Sequence, residues 1–496
     1  LSRIATSRFF DFIDQIKEWQ LFVGLFVYAF FIRFPFFFRD YIDRDESTFI
    51  LMGQSWADGN LPYTELWDLK PPVTFLFFAV IVKIFGKSFL AIRLMGTLLV
   101  TIAAFYTFKI TKRHSSKSSS IISALLVIVL FSLFGSLQGV MSEHISMAFF
   151  IPGLYLFLDN RNRLFTVLAG LLFGLAVMSK LNMGYPLVFL FAFSLWESYR
   201  NQNLKMTIAR LLVCGSSICF VVFLTFLPYQ STGQPNLWWG SVFKAPLAYA
   251  EAQDNSVLKV LPTVLIFGTV LVFLWRSFLK NKPTNTKILL FTGFGVLFSF
   301  LQAGKANGHY LIQFYPFLIV LLVCALATFS IFKTKTFLVL TPILILLLPI
   351  ESYLEYGNIV KNKTEYDTFY NGEGVSVPRY FSENELSTNN ILFFEYHIGY
   401  WVMGINPPTK AATHPSNLLR DELFPYMANH RTNKFEELKF IFEIKKPEFI
   451  VTRKNRRIFY HEKYASNFYA QLELLKNYQV LDTVENAVIH KRLPVQ

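Results

Sequence analysis

Apolar positions run through this chain in blocks rather than at scattered core spacings. The blocks lie near residues 19–38, 71–86, 89–110, 119–137, 144–159, 164–179, 184–197, 208–229, 257–276, 286–303, 309–331 and 335–352. Most approach about 20 residues, the length a helix needs to cross the hydrocarbon core of a bilayer. After residue 352 the blocks stop and the charges rise. Short β-like runs at Asn390–Phe394 and Phe449–Thr452, with a helical patch at Ser466–Lys476, predict a small α/β domain there. The pattern predicts residues 1–352 as an all-α polytopic membrane bundle and 353–496 as a separate soluble domain.

Composition sharpens this picture. Hydrophobic residues make up 53% of the 496 and charged residues only 16%, with 56 Phe; an ordinary soluble domain carries about 25% charged residues. The mean hydropathy is +0.40. A soluble enzyme is excluded. The formal net charge of +14 invites a nucleic-acid reading, but the basic residues sit in short runs between apolar blocks, as the positive-inside rule requires. No nucleic-acid partner is expected. Cys214, Cys219 and Cys324 all fall within apolar blocks and offer neither a disulfide framework nor a metal spacing. The first block is too long for a cleavable signal peptide, and a start at Leu1 rather than Met fits a chain lacking a few N-terminal residues or one with an unusual start codon.

The basic clusters set an orientation. Arg3, Arg8 and Lys17 precede the first block; Lys112, Arg113 and Lys117, then Arg161 and Arg163, then Arg200 and Lys205, then Arg276, Lys280, Lys282 and Lys287, then Lys333 and Lys335 lie between later ones. Placing them all in the cytoplasm leaves the alternate loops poor in cations. This works when Pro71–Gly86, short and carrying Lys83, lies in or dips into the outer interface instead of crossing. Eleven crossings are predicted, N-terminus inside, C-terminal domain outside. No inverted repeat stands out, which weighs against a repeat-built transporter.

The first external loop, Arg39 to Pro72, gathers Asp40, Asp43, Asp45, Glu46, Asp58, Glu65 and Asp68 beside Arg39, Arg44 and Lys70. A helix is predicted over Ser47–Ala57, ended by Asp58-Gly59-Asn60, with the Asp45-Glu46 pair immediately before it. Carboxylates at a membrane face either take a proton from an acceptor hydroxyl or amine, or hold a divalent ion. Asp40, Asp43 and Glu65 fit ordinary solvated loop charges.

The series Asp45-Glu46, Gly59, Pro62-Tyr63, Asp68-x-Lys70-Pro71-Pro72, Phe85-Gly86-x-Ser88 and Arg93 resembles the start of GT-C glycosyltransferases. The resemblance is to bacterial relatives of protein O-mannosyltransferases (family 39-like) and of aminoarabinose–lipid A transferases. It continues through Glu143 and the Gly170–Lys180 span to Gly308-His309-Tyr310 and Pro316, covering roughly residues 20–330. It implies an enzyme of the bacterial plasma membrane that moves a hexose or pentose from a polyprenyl-phosphate donor to an extracytoplasmic lipid, glycan or protein. The first acid of the pair, Asp45, would act on the acceptor, with Glu46 beside it.

The residues themselves agree. A lipid-phosphate leaving group needs cations at the membrane surface, and Lys70, Arg93, Lys180, Lys305 and His309 lie at or near predicted external ends. Lys70 and His309 are expected to hold the donor phosphate together. Snorkelling accounts equally well for Lys180 and Lys244, and a carbonyl bond for His309. Glu143 is the only acid of its loop; with Asp68 it is a candidate to orient the acceptor or share a metal with Asp45, and no ligand spacing settles whether a divalent metal is used. Trp238 and Trp239 suit a sugar face or merely an interface, and Glu251 and Asp254, with Lys244, are candidate acceptor contacts. Phe-rich faces read as lipid-facing, and Met178 and Met183 as packing. The competing readings are a lipid-linked-sugar flippase or transporter, a surface-glycan polymerase and an oligosaccharide transferase. Transport would favour charges at crossing centres, whereas these gather at segment ends.

Overall fold

The computed structural model describes residues 13–159, 162–252, 257–279, 283–330, 334–459 and 465–494. Arg3, Arg8, Arg161, Asp254, Lys280, Lys282 and Lys333 lie outside the described residues. Two compact units are present. One comprises Leu1–Pro35, Arg93–Thr225 and Asn255–Glu355, the other Phe36–Ile92, Phe226–Asp254 and Tyr356–Gln496.

The first unit is a helical bundle. Its helices follow the apolar blocks, among them Glu18–Arg33, Phe89–Lys112, Lys117–Leu130, Ser142–Phe157, Arg163–Ser179, Gly184–Arg200, Leu204–Ser231, Val257–Leu274, Thr284–Ala303 and Tyr315–Leu326. Polar residues between blocks start them: Ser116 accepts from Ser119 N, and Asn162 from Leu164 N, supplying acceptors for N–H groups that lack a helical partner. Two blocks divide where glycine intervenes. The 119–137 block leaves the helix after Leu130 and continues as a 3-10 turn from Gly135. The 309–331 block opens as a 3-10 turn, Gly308–Gln313, before its helix begins at Tyr315.

Small residues allow close helix approach. At Gly170 a Cβ would lie 2.4 Å from the Cys214 carbonyl oxygen, and at Gly174 2.7 Å from Val221 Cβ. This four-residue spacing of glycines is a packing device of membrane helices. Buried hydroxyls on Phe89–Lys112 bond backward: Thr97, Thr101, Thr107 and Thr111 each donate to the carbonyl four residues earlier. In a bilayer, where water is absent, such bonds satisfy otherwise costly polar groups.

Among the described residues, five helices are long and apolar enough to cross a membrane, six when the bent pair Thr336–Leu347 and Ile350–Tyr366 is taken as one span. The eleven-crossing scheme therefore needs shorter apolar helices to cross as well. Leu204–Ser231 and Val257–Leu274 turn large apolar side chains outward, including Leu212, Phe220, Leu258, Leu265 and Phe273. Contiguous apolar surface on that scale marks contact with lipid. The expectation that the Phe-rich faces are lipid-facing holds for Phe220, Phe223 and Phe273 but not throughout: Phe108, Phe131, Phe150, Phe173 and Phe300 are fully buried in the core of the bundle, where large aromatic rings bury much apolar surface. Met178 and Met183 are packed inside, as expected.

In the second unit, helix Arg44–Ala57 packs on Pro72–Phe85, where a Cβ at Gly53 would fall 2.5 Å from Phe78 Cβ. At 14 residues, Pro72–Phe85 is about 21 Å long, shorter than the ~30 Å hydrocarbon core. The sheet contains β1 (Ile391–Phe393), β2 (Phe449–Arg453), β3 (Tyr478–Val484) and β4 (Ala487–Arg492), in the order β1-β2-β4-β3. β1 and β2 are parallel; β2–β4 and β3–β4 are antiparallel. β1 and β2 coincide with the predicted β-like runs, and helix Ala465–Asn477 with the predicted patch. The pattern does not predict the β3–β4 hairpin. It turns through Glu485, which adopts a positive φ of 55° without a glycine to signal it.

Residues 356–496 do not pack by themselves. Arg39 bridges to Asn371, Lys87 Nζ donates to the Trp401 carbonyl at 2.8 Å, and Trp401 Nε1 donates to Gln54 Oε1 at 3.0 Å. The first loop and the C-terminal segment share one unit.

Candidate active site

The Asp45 helix begins three residues earlier than the pattern predicts. Asp43 is its N-cap, accepting from Asp45 N at 2.8 Å. Asp45 and Glu46 therefore sit inside the first turn instead of before the helix, because an Asp one residue ahead of Arg44 supplies the cap. In the first turn the helix dipole favours a carboxylate.

Asp45 Oδ2 lies 3.1 Å from Lys70 Nζ, and Oδ1 lies 3.1 Å from His414 Nε2. Lys70 is held in turn. Its backbone N–H donates to Asp68 Oδ2 at 3.3 Å, its carbonyl accepts from Tyr63 O–H at 2.7 Å, and its ammonium lies 5.5 Å from the Phe49 ring centre. Asp68 and Glu46 are buried, whereas 26% of the Asp45 side chain remains exposed. The carboxylate is thus gripped from two sides and still reachable.

The same helix and the loops flanking it are tied to the C-terminal segment at three levels. Arg44 Nε donates to Glu395 Oε1 at 3.2 Å and Nη2 donates to the other carboxylate oxygen; Tyr41 O–H donates to Oε1 at 2.7 Å. One turn on, Thr48 Oγ1 lies 3.0 Å from His397 Nε2. Burial, with His414 adding to it, holds His397 well below the ordinary imidazole range, so it is neutral. Trp67 N donates to Thr413 Oγ1 at 3.3 Å and Trp67 Nε1 to Ser241 Oγ at 3.0 Å. Nearby, burial pushes Asp40 up to about 8, with Glu373 and Glu485 raising it further and the Val375 N–H opposing. The reading of Asp40 as a solvated charge is therefore corrected: Gly372 and Gly374 lie so close that a Cβ on either would meet its carboxyl.

Within the helical bundle a second carboxylate is built differently. Glu143 lies in the first turn of Ser142–Phe157 and its side chain is fully buried. Lys180 Nζ approaches its Oε1 at 2.6 Å, Ser142 Oγ donates to Oε2 at 3.1 Å, and His309 Nε2 stands 3.9 Å from Oε1. Lys180 also lies 4.6 Å from the Tyr310 ring centre.

The loops carrying these groups are locked. Asn182 and Gln313 exchange amide bonds of 3.0 and 2.8 Å, joining the turn after Lys180 to the turn of His309. The loop before Glu143 is held by buried Arg33, which donates to the carbonyls of Phe131, Leu137, Gln138 and Gly139 and to Ser132 Oγ. His144 Nδ1 accepts from Met141 N at 3.1 Å, so its Nε2 carries the proton donated to the Phe131 carbonyl.

The sequence-derived candidates thus divide between the units. Asp45, Glu46, Asp68 and Lys70 belong to one, and Arg93, Glu143, Lys180, Lys305 and His309 to the other. Arg93 is buried in its helix, and Lys305 is half-buried in the turn after Gly304. Trp238 is buried against Phe226, 5.2 Å between ring centres, while Trp239 is half exposed. Lys244 and Glu251 are exposed. Among the described residues, no three His, Cys, Asp or Glu side chains gather as a metal site requires. Asp45, Asp68 and Glu143 do not form such a group.

Sequence reasoning missed His414, Glu395, His397 and Thr413. Glu395 and His397 carry a faint signal, as charged and imidazole groups directly following a strand-like run, whereas Thr413 and His414 carry none.

Residues 69–229 match the family model described as dolichyl-phosphate-mannose-protein mannosyltransferase. Among solved structures, the apo state of ArnT from Cupriavidus metallidurans superposes with a TM-score of 0.61 at 12% identity, covering 95% of this chain and 97% of that one. The same protein bound to undecaprenyl phosphate gives 0.59 at 13% identity, with the same coverage. The archaeal oligosaccharyltransferase AglB from Archaeoglobus fulgidus, in complex with an inhibitory peptide and a dolichol-phosphate, gives 0.50 at 13%, covering 88% of this chain and 69% of that one. Comparison with curated protein sequences returned no match.

The fold is that of the GT-C glycosyltransferases, multi-pass membrane proteins. Within that class the chain has the ArnT-like arrangement: a mostly helical protein with a small C-terminal sheet.

Proposed function

We propose that the protein transfers one sugar from a polyprenyl-phosphate donor to an extracytoplasmic acceptor, with inversion at the anomeric carbon and Asp45 as base. The observation that carries this is the Asp45 carboxylate, partly exposed and fixed between Lys70 and His414. Two donors favour its ionised form, which a base must have when the acceptor arrives. The acceptor oxygen or nitrogen bonds to the anomeric carbon, its proton passes to Asp45, and the carbon–oxygen bond to phosphate breaks with its electron pair leaving on the phosphate. Lys70, Arg93, Lys180, Lys305 and His309 are the cations assigned to that phosphate. Glu143 and Asp68 support: Glu143 fixes Lys180 and His309, and Asp68 fixes the Lys70 backbone.

The reading is supported by the ArnT structure that contains undecaprenyl phosphate and the AglB structure that contains dolichol-phosphate and a peptide. We assign the site and residues 353–496 to the outer face of a bacterial plasma membrane, crossed eleven times by residues 1–352, on the alternation of basic loops.

The test is direct. Purified protein is incubated with undecaprenyl-phosphate-linked mannose, glucose, galactose and aminoarabinose, each with a bacterial envelope glycolipid extract. Release of undecaprenyl phosphate from at least one donor is expected; no release from any of them overturns the assignment.

A further inference from the structure

His414 enters the Asp45 site from a part of the chain 369 residues away, and its own bonds define what it can do there. Its Nδ1 accepts from the Ser416 backbone N–H at 3.1 Å. A ring nitrogen that accepts carries no proton, so in the neutral ring the proton sits on Nε2. Nε2–H then donates to Asp45 Oδ1, 3.1 Å away. The side chain is 6% exposed, and the following residue, Pro415, opens a short 3-10 turn that fixes Ser416. The ring is therefore locked at both nitrogens.

We propose that His414 is a positioning residue: a fixed hydrogen-bond donor that aims and ionises the Asp45 carboxylate, and not a relay that carries the acceptor's proton onward. A relay needs a free lone pair facing Asp45. Here Nε2 presents its proton, and the lone pair at Nδ1 is engaged by a backbone N–H. With Lys70 on Oδ2 and His414 on Oδ1, rotation of the carboxylate is stopped at both oxygens. Small misplacements of a reacting group are costly in rate. This inference rests on the reading of Asp45 as the base.

A donor and a relay respond differently to glutamine. Its amide N–H can replace Nε2–H toward Asp45, but an amide does not shuttle protons at neutral pH. Full-length His414→Ala, His414→Gln, His414→Asn and Asp45→Asn are compared in detergent, using the undecaprenyl-phosphate sugar that wild type consumes. His414→Ala is expected to lower kcat by about tenfold or more with the donor KM within about twofold. His414→Gln should recover to within about threefold of wild type, while the shorter His414→Asn stays with His414→Ala. The Gln and Asn comparison carries the test if His414→Ala fails to fold. Equal impairment of His414→Gln and His414→Ala would mean that the ring itself is required, and would overturn the proposal. So would wild-type turnover in His414→Ala. Full turnover in Asp45→Asn would instead sink the reading of Asp45 as base.

Discussion

Asp45 and Glu143 occupy equivalent local positions, each in the first turn of a helix with a lysine and a histidine nearby. Their surroundings are opposite. Asp45 keeps about a quarter of its side chain exposed, and its partners come from the first loop and the C-terminal segment. Glu143 is sealed, and its partners come from helix ends of the bundle. A proton acceptor must be reachable and must change charge during turnover. A sealed carboxylate against an ammonium cannot lose its charge without leaving the ammonium uncompensated. On the proposed reading, the exposed acid is the one that reacts and the sealed one holds cations in place.

The largest effect should come from breaking the sealed pair. Lys180→Met leaves Glu143 buried without its ammonium, a change that costs roughly 3–5 kcal/mol. Thermal unfolding in detergent should show a clear fall in melting temperature, and Lys180→Met combined with Glu143→Gln should recover most of it. A single variant that melts with wild type would refute the buried pairing.

Asp45→Asn should do the reverse. Turnover should fall by about a hundredfold or more, the worth of a positioned base, with little change in melting. If Asp45→Asn kept more than about a third of wild-type turnover while Glu143→Gln or Asp68→Asn abolished it, the base would move to another carboxylate.

Asp40 sharpens the contrast with a third arrangement, an acid buried against glycines. Its folded value of about 8 stands above the ordinary 3.8, so the native state holds a proton that the unfolded chain releases between those values. Its stabilising contribution is fully present below about pH 4 and is lost as pH rises toward 8. Asp40→Asn should therefore flatten the decline in stability, by roughly 1 kcal/mol per pH unit near pH 6 to 7. Parallel pH–stability curves for variant and wild type would dismiss the buried neutral acid.

What the sequence discloses follows from the range of each interaction. The bundle helices are legible because a bilayer demands long apolar runs, whatever they pack against. Asp45 and Lys70 are legible as neighbours because one loop carries both, 25 residues apart. Glu143, Lys180 and His309 each stand out as a charge at the edge of an apolar block, but their mutual pairing depends on helix packing that the pattern does not encode. His414 is the extreme case. Nothing local distinguishes it from any His-Pro in a loop, and only the folded unit brings it to Asp45. The Arg44 start of the helix was obscured because a run of four charged residues, Asp43 to Glu46, offers several caps in a row.

The bond between Asp45 and His414 also sets a timetable. Chains grow at about 5–20 residues per second, so the 369 residues separating the two take on the order of twenty seconds to a minute or more to make. Throughout that interval the nascent protein has its acidic loop but lacks the imidazole that belongs beside it. A ribosome that stalls anywhere before residue 414 leaves a product with an incomplete site. On the proposed reading, the Asp45 site stays incomplete until residue 414 has been made and folded back to it.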